Sequence, residues 1–185
     1  MGSIRSLHDA VFGGLERLAG EWFLPLAARF AFLAVLFFYY LNSAMTKVGD
    51  GLAGFFQVRS GAYYQILTEK GLEAFGGSVS GVPWYGDLIV YAGTYAEFIL
   101  PVLIVFGLFT RIAAAGMIVF VLVQSWVDVN FHGIAGDNLG AWFDRDSGAL
   151  IMDQRLLWIF LLLVLVIKGA GAVSLDRLLS LGRRD

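Results

Sequence analysis

Cysteine is absent from this 185-residue chain. Its absence excludes disulfide scaffolds, thiolate zinc sites, cysteine-ligated iron–sulfur clusters and cysteine nucleophiles. Histidine is scarce as well: His8 and His132 are the two in the chain, so a copper or haem site built from several histidines is not expected. We therefore expect no covalently bound cofactor.

Charged residues are also few. Charged residues make up 15% of the chain and the net charge is −2, whereas a typical soluble domain is about 25% charged. This composition excludes a disordered or highly solvated chain, and it argues against a soluble enzyme. The near-neutral balance gives no indication of nucleic-acid binding.

Apolar residues dominate instead, at 58% of the chain with a mean hydropathy of +0.74. A membrane span needs about 20 predominantly apolar residues, and four windows qualify: 24–46, 87–110, 112–131 and 156–175. Only Arg111 separates the second window from the third, which predicts a tight antiparallel hairpin. We predict an all-α fold, a polytopic membrane protein whose single domain (1–185) is an antiparallel bundle of four transmembrane helices.

The segments outside the spans carry patterns of their own. Apolar residues recur at helical spacing in residues 1–23, which predicts an amphipathic helix lying in the headgroup plane or packed against the bundle base. Its stripe is Ile4, Leu7, Val11, Leu15, Leu18 and Trp22. The outer loop 47–86 is apolar enough to predict short helices, and the Asp- and Gly-rich loop 132–155 is predicted to be irregular. Ser174 is expected to cap a short helix over 175–181.

The distribution of Lys and Arg predicts the orientation. Four spans put both termini and the Arg111 turn on one side, which holds eight of the thirteen basic residues. They are Arg5, Arg17, Arg29, Arg111, Lys168, Arg177, Arg183 and Arg184; the other side holds Lys47, Arg59, Lys70, Arg145 and Arg155. By the positive-inside rule both termini are cytoplasmic, in a bacterial-type inner membrane.

Glu97 is the most informative residue inside a span. It lies near the middle of the second window, where an ionisable group is expensive and needs a partner or a water-filled cavity. Pro101 follows four residues later and has no N–H to bond the Glu97 carbonyl. The carboxyl and this free carbonyl share one notch in the helix, which favours a functional role such as proton exchange.

Other polar residues are predicted to form a cleft that leads from the outer surface to Glu97. At about 1.5 Å per residue, Glu97 and Gln124 lie roughly 19 and 18 Å above the inner ends of adjacent spans, so the two are expected to be level. The predicted ligand-binding residues are Tyr39, Asn42, Tyr91, Thr94, Gln124, Asp128 and His132. A purely structural role for the Glu97–Gln124 contact stays open, since polar side chains also join helices at about 0.6 kcal/mol each.

Two further polar positions have alternative interpretations. Arg29 lies about 7 Å into span one, so it could snorkel to the inner surface, as Lys168 is expected to do. Asp128 and His132 share one helical turn and could hold a metal with Asp137, Asp144 or Asp146. A loop of solvated aspartates is the simpler interpretation, and we predict no metal site.

Over nearly its full length the chain resembles the DoxX family of small four-helix membrane proteins. The residues that carry the resemblance are Arg29, Asn42 and Lys47 in span one, Ala96 and Glu97 in span two, the run Gly107-Leu108-Phe109-Thr110-Arg111, the run Lys168-Gly169-Ala170-Gly171, and Ser174-Leu175-Asp176. Asn42 stands where many members have histidine. The resemblance implies membrane redox work: related proteins serve as the quinone-facing subunit of a thiosulfate:quinone oxidoreductase, assemble with superoxide dismutase and a sulfurtransferase, or accompany metal-stress systems.

Three functions are compatible with these residues. The first is a membrane redox subunit that holds a quinone in the cleft, where Glu97 exchanges protons and Tyr39, Tyr91, Gln124 or His132 bonds the carrier. The second is an assembly or anchoring subunit that binds a protein partner or a second copy of the chain. The third is a small transporter or metal-handling protein that uses Asp128 and His132.

Overall fold

The computed structural model describes residues 2–181, and its side chains are described over residues 5–180. Within these limits the chain is helical, apart from turns and one isolated antiparallel bridge between Val48 and Val58. The positions of Arg183 and Arg184 and the side chains of Ile4 and Leu181 lie outside the described residues. The predicted all-helical fold with four membrane-length helices is confirmed.

The four spans are Phe23–Met45, Trp84–Phe106, Thr110–Asn130 and Leu150–Lys168. The first three agree with the predicted windows to within three or four residues. Span four differs, because it begins six residues before the predicted start and ends seven residues before the predicted end. Gly169 adopts φ 78° and stops the helix, and Leu150–Gln154, which we assigned to the preceding loop, forms its first turn.

The spans pack as a ring in which each contacts the next and span four returns to span one. The largest side chains of the shared core are Phe32, Leu36, Tyr40, Ile104, Met117, Leu162 and Leu165. Ala113 and Ala114 of span three are also buried. Small residues such as these allow close approach of helices in a membrane, where packing replaces the hydrophobic effect as the driving force.

Two stretches of π-helix interrupt the regular geometry. Leu33–Phe37 lies inside span one, and Leu150–Gln154 opens span four. A π-turn widens the helix locally and is frequent at functional sites. Each precedes residues of the polar network described below, Tyr39 and Tyr40 in one case and Arg155 in the other.

The predicted short helices of the first outer loop are confirmed. They are Gly51–Gly54, Ser60–Ile66, Thr68–Glu73 and the 3-10 turn Val79–Gly81. Ala62, Tyr63 and Leu72 pack against Val90 of span two. The Tyr63 hydroxyl donates to Asp87 Oδ1 at 2.8 Å, and burial followed by this hydrogen bond raises the pKa of Tyr63 to about 12.

The terminal helices lie at the opposite end of the bundle, which we call the terminal face. The N-terminal helix is Gly2–Ala19, and Leu7 and Leu18 of its apolar stripe are 66% and 68% exposed. Val11, Leu15 and Trp22 of the stripe are exposed as well, which favours the headgroup plane over packing against the bundle. The C-terminal helix is Leu175–Leu181, and the predicted cap is confirmed, because the Arg177 N–H donates to Ser174 Oγ at 3.1 Å.

Arg29 is the centre of the contacts at the terminal face. Its guanidinium donates to the carbonyl of Ile104 at 3.1 Å and also to that of Val105, both in the last turn of span two. It donates as well to Ala170 at 3.2 Å and to Val173, beyond span four. The snorkelling interpretation is therefore wrong: Arg29 is buried because four carbonyls replace its water.

Asp176 binds the turn between spans two and three. Its carboxylate accepts the backbone N–H groups of Phe109 at 2.7 Å and Thr110 at 3.0 Å, at the start of span three. Its own N–H donates to the Gly107 carbonyl at 2.8 Å. Gly107 has φ 68°, and a Cβ there would lie 2.9 Å from the Arg29 guanidinium carbon, so only glycine fits. One carboxylate thus caps a helix from a distant part of the chain.

Substitution of Asp176 tests this cap. Because loss of an N-terminal cap costs about 0.5–2 kcal/mol, Asp176→Ala should lower the free energy of unfolding by about 1 kcal/mol or more, and Asp176→Asn by less. The measurement is reversible unfolding in mixed micelles. Glu73→Ala, at an exposed carboxylate of the loop helices, is the matched control; equal losses for Asp176→Ala and Glu73→Ala would contradict the role of the cap.

Candidate functional site

Glu97 lies in the interior of span two, thirteen residues after Trp84. The side chain is 6% exposed, and its Oε2 accepts a hydrogen bond from the Lys47 Nζ at 2.8 Å. Lys47 is itself 4% exposed. The two residues form a buried ion pair that joins the end of span one to the middle of span two.

The local fold of the chain directs Lys47 inward. The residue follows the last turn of span one, and its ammonium also donates to the Ser43 carbonyl at 3.2 Å and to Ser43 Oγ at 2.8 Å. The Ser43 hydroxyl is hydrogen-bonded to the Glu97 carboxylate in turn. All three Lys47 donors therefore have an acceptor available without water.

A cover formed by the first outer loop lies over this pair. Gly49 and Gly54 approach so closely that a Cβ on Gly54 would lie 2.4 Å from the Gly49 carbonyl carbon. This close approach folds Phe55 onto span two, where its ring lies 5.0 Å from Phe98 and its carbonyl accepts from the Tyr95 hydroxyl at 2.9 Å. In place of the predicted open cleft, Glu97 and Lys47 thus lie buried beneath this cover.

The notch predicted at Glu97 has a second polar group. Pro101 is buried one turn away and, lacking an N–H, leaves the Glu97 carbonyl without its helical donor. Thr94 is fully buried one turn in the other direction, and its hydroxyl has no hydrogen-bond partner among the described residues. The helix therefore presents a carbonyl, a carboxylate and a hydroxyl within about two turns.

A second buried ion pair connects spans three and four. The Arg155 guanidinium donates to Asp128 Oδ2, and His132 Nδ1 lies 2.9 Å from Asp128 Oδ1. Arg155 is 6% exposed, and its Nε and Nη1 have no acceptor in the described part of the chain. Buried donors without acceptors are rare in proteins and mark sites of strain, chemistry or bound water.

Two tyrosines and a glutamine lie between the ion pairs. The Tyr40 hydroxyl donates to Gln124 Oε1 at 3.3 Å, and Gln124 Nε2 donates to the Tyr39 hydroxyl at 3.1 Å. Tyr40 is fully buried and interacts electrostatically with Glu97, Asp128 and Arg155. Tyr39 is 44% exposed at the membrane-facing surface. The network thus runs from the lipid side to the centre of the bundle.

The structure brings some of the predicted residues together and separates others. Gln124 bonds the two tyrosines and not Glu97, so the expected Glu97–Gln124 contact is wrong. Glu97 is hydrogen-bonded to Ser43 of span one, whereas Gln124 is hydrogen-bonded to Tyr39 of the same span. Tyr39 lies one helical turn closer to the terminal face than Ser43. Glu97 and Gln124 were expected to lie at the same height on adjacent helices. Glu97 pairs instead with Lys47, whose long side chain extends to it from beyond the end of span one.

Asn42 and Tyr91 lie outside the network. Both are exposed, and the ring of Tyr91 lies near that of Tyr95, with centroids 6.3 Å apart. Sequence reasoning missed Tyr40 and Arg155. Arg155 directly precedes an apolar run. A predicted start of span four that included the preceding Asp153 would have identified Arg155 as an ionisable residue inside the span.

Asp128 and His132 do form a pair, but a metal set is not assembled around them. Asp128 is engaged by Arg155, and over the described residues no group of three or more His, Asp or Glu side chains could hold a metal ion. Asp144 accepts from the backbone N–H of Asp146 at 3.0 Å, a local turn contact.

An apolar groove opens toward the membrane between spans one and four, beside the network. Its volume is about 670 Å³. Ala27, Ala31 and Val35 line one wall, and Trp158 and Leu161 line the other. The Trp158 ring lies 5.5 Å from that of Tyr39 and 6.3 Å from that of Tyr40. The groove therefore ends where the network reaches the surface.

Comparison with known protein families identifies a match over the first three spans. The family model described as DoxX matches residues 24–129, which is more than half of the chain and includes spans one to three. No curated protein and no solved structure matches the chain.

A double-variant cycle tests the buried pair. Lys47→Met leaves the Glu97 carboxylate buried without a counter-charge and should lower the free energy of unfolding by about 3 kcal/mol or more. Lys47→Met/Glu97→Met removes both charges and should recover most of that loss, since an apolar pair can replace a buried ion pair.

The exposed ion pair Arg59–Asp50, at 2.7 Å, provides the control for this cycle. Arg59→Met should change stability by about 1 kcal/mol or less, because solvent screens exposed pairs. Additive losses at Lys47 and Glu97 in the cycle would show that the two side chains do not interact.

Proposed function

The chain belongs to the DoxX family and is a multi-pass membrane protein. On this basis we propose that it is the membrane subunit of a quinone-linked redox system, concerned with sulfur compounds or oxidative stress. One observation carries the proposal: hydrogen bonds lead from lipid-facing Tyr39 through Gln124 to Tyr40, which stands between two buried ion pairs.

The ion pairs support a role beyond packing. Burial of two charges carries a desolvation penalty that their attraction does not always offset, and apolar replacements are often as stable. Within a membrane such residues are rare and typically belong to ion, proton or substrate pathways. Two pairs, Lys47–Glu97 and Arg155–Asp128, lie in this small bundle, which favours a site of chemistry over a purely structural one.

The groove between spans one and four fits a lipid-soluble carrier. A quinone has a flat polar head and a long apolar tail, and when bound it accepts two electrons and two protons. The alanine-lined groove would take the tail, while Trp158 provides an aromatic face for the head. The Tyr39 hydroxyl, already an acceptor from Gln124, is positioned to donate to a carbonyl of the head.

Glu97 is the candidate for proton exchange. Its carboxylate is held by Lys47 and Ser43, so a proton can be taken up only as the hydrogen bonds around Ser43 rearrange. Tyr40, which is coupled electrostatically to Glu97, lies between that carboxylate and Gln124. These residues would hold and move protons near the carrier.

Each turnover needs two electrons from a reductant outside the chain, because a protein side chain can only relay electrons that a donor supplies. A partner redox enzyme with its own cofactor, or a thiol substrate, would supply them. An assembly or anchoring role remains the alternative. It is supported by Phe143, which is fully exposed at the tip of the second loop beside Trp142, where a protein partner could dock.

We also propose that both termini face the cytoplasm. Arg17, Arg111, Lys168 and Arg177 line one groove at the terminal face, together with only two acids, Glu21 and Asp176. The positive-inside rule then puts both termini in the cytoplasm of a bacterial-type inner membrane.

Single cysteines test the orientation without background, because the chain has none. In spheroplasts, a membrane-impermeant maleimide should label Ser60→Cys in the first loop and should label Ser180→Cys only after the membrane is opened. The reverse pattern would contradict the orientation.

Quinone content tests the function. Protein purified gently from native membranes should retain extractable quinone, and Tyr39→Phe should reduce it about fivefold through loss of one hydrogen bond. Tyr91→Phe, at an exposed tyrosine outside the network, is the matched control and should retain the wild-type content. Wild-type protein without quinone, or equal content in Tyr39→Phe and wild type, would contradict the proposal.

A further inference from the structure

A second groove, distinct from the network, lies at the terminal face. Its volume is about 870 Å³, and it is bordered by the ends of spans three and four and by both terminal helices. Four basic residues line it: Arg17, Arg111, Lys168 and Arg177. They come from four separate parts of the chain, so the groove exists only in the folded bundle.

These cations are not neutralised by the chain around them. Within residues 5–180 none of the four is in an ion pair. Arg17 donates to the Gly13 carbonyl at 3.0 Å. Of the two acids in the groove, Asp176 has both carboxylate oxygens occupied by backbone N–H groups, which leaves Glu21 as the one carboxylate without a partner. The groove therefore attracts an anion.

Exposed apolar side chains also line the groove, beside the basic residues. Phe109, Ile112 and Ile167 line it and are 60%, 74% and 66% exposed. Phe109 has φ 48°, a left-handed conformation that is strained for a residue with a side chain, and its ring stays at this surface. A small soluble anion would bind the basic side chains but would leave these apolar side chains exposed.

Gly169 makes room for one of the cations. It adopts φ 78°, and a Cβ there would lie 3.2 Å from Arg111 Nε. The absence of a side chain allows the Arg111 guanidinium to lie over the turn that ends span four. Arg111 and Lys168 thus flank the same turn, at the depth where lipid headgroups lie.

We propose that this groove binds an anionic phospholipid, whose phosphate lies among Arg111, Lys168 and Arg177 and whose acyl chains pack along Phe109, Ile112 and Ile167. Basic pockets at helix ends are suited to such headgroups, since each Lys or Arg near an anionic surface contributes about 1 kcal/mol. The site is independent of the proposed carrier site between spans one and four.

Native mass spectrometry of the full chain tests the proposal. The protein is given equal amounts of phosphatidylglycerol and phosphatidylcholine, and the retained lipids are counted. The wild type should prefer phosphatidylglycerol, and Arg111→Gln/Lys168→Gln should reduce that preference about 30-fold. Arg59→Gln/Lys70→Gln, which removes the same charge from the first loop, is the matched control and should leave the preference unchanged.

Two further measurements keep the result interpretable. Arg111→Lys/Lys168→Arg keeps both charges and should retain the preference, and salt should weaken binding of phosphatidylglycerol to wild-type protein more than that of phosphatidylcholine. The proposal is overturned if wild type shows no preference, if the Gln variant keeps it, or if an equal concentration of inorganic phosphate displaces the lipid.

Discussion

The ion pair between Lys47 and Glu97 is the interaction on which the rest of this structure depends. A carboxylate inside a membrane helix must be paired, hydrogen-bonded or hydrated, and here the partner comes from beyond the end of span one. To bring Lys47 inward, the chain folds back through Gly49 and Gly54 and closes Phe55 over the site. The first loop is therefore part of the site and not merely a connection between spans.

The need to pair or hydrogen-bond a buried charge also organises the opposite end of the bundle, with different residues. Arg29 is buried and replaces its water with the carbonyls of span two and of the turn after span four. Asp176 accepts hydrogen bonds from the backbone N–H groups at the start of span three, which have no acceptor within their own helix. Buried charges thus hold the terminal face and the site around Glu97, while the shared core of the four spans is mainly apolar. That division explains how so few charged residues determine the arrangement of four apolar helices.

Much of this could be predicted from the sequence, and the exceptions have physical reasons. Length and hydropathy predict the four spans, and an ionisable residue in an apolar run identifies Glu97. The partner of Glu97 could not be predicted, because it depends on how a loop folds back after Met45. The predicted window for span four lay too far toward the C-terminus for two reasons. The first turn of the helix is polar, with Asp153 and Arg155, and Gly169 ends the helix early. The π-turns have no signature in residue spacing.

The central claim is that Glu97 exchanges protons in step with a lipid-soluble carrier. Infrared difference spectroscopy of the protein in membranes, comparing added quinone with added quinol, tests it most directly. The account predicts a carboxyl signal that changes with the oxidation state of the carrier and is absent from Glu97→Gln, while Asp87→Asn, a carboxylate at the loop end of the same span, retains it. A spectrum that is the same for quinone and quinol, or a signal that persists in Glu97→Gln, would contradict the account.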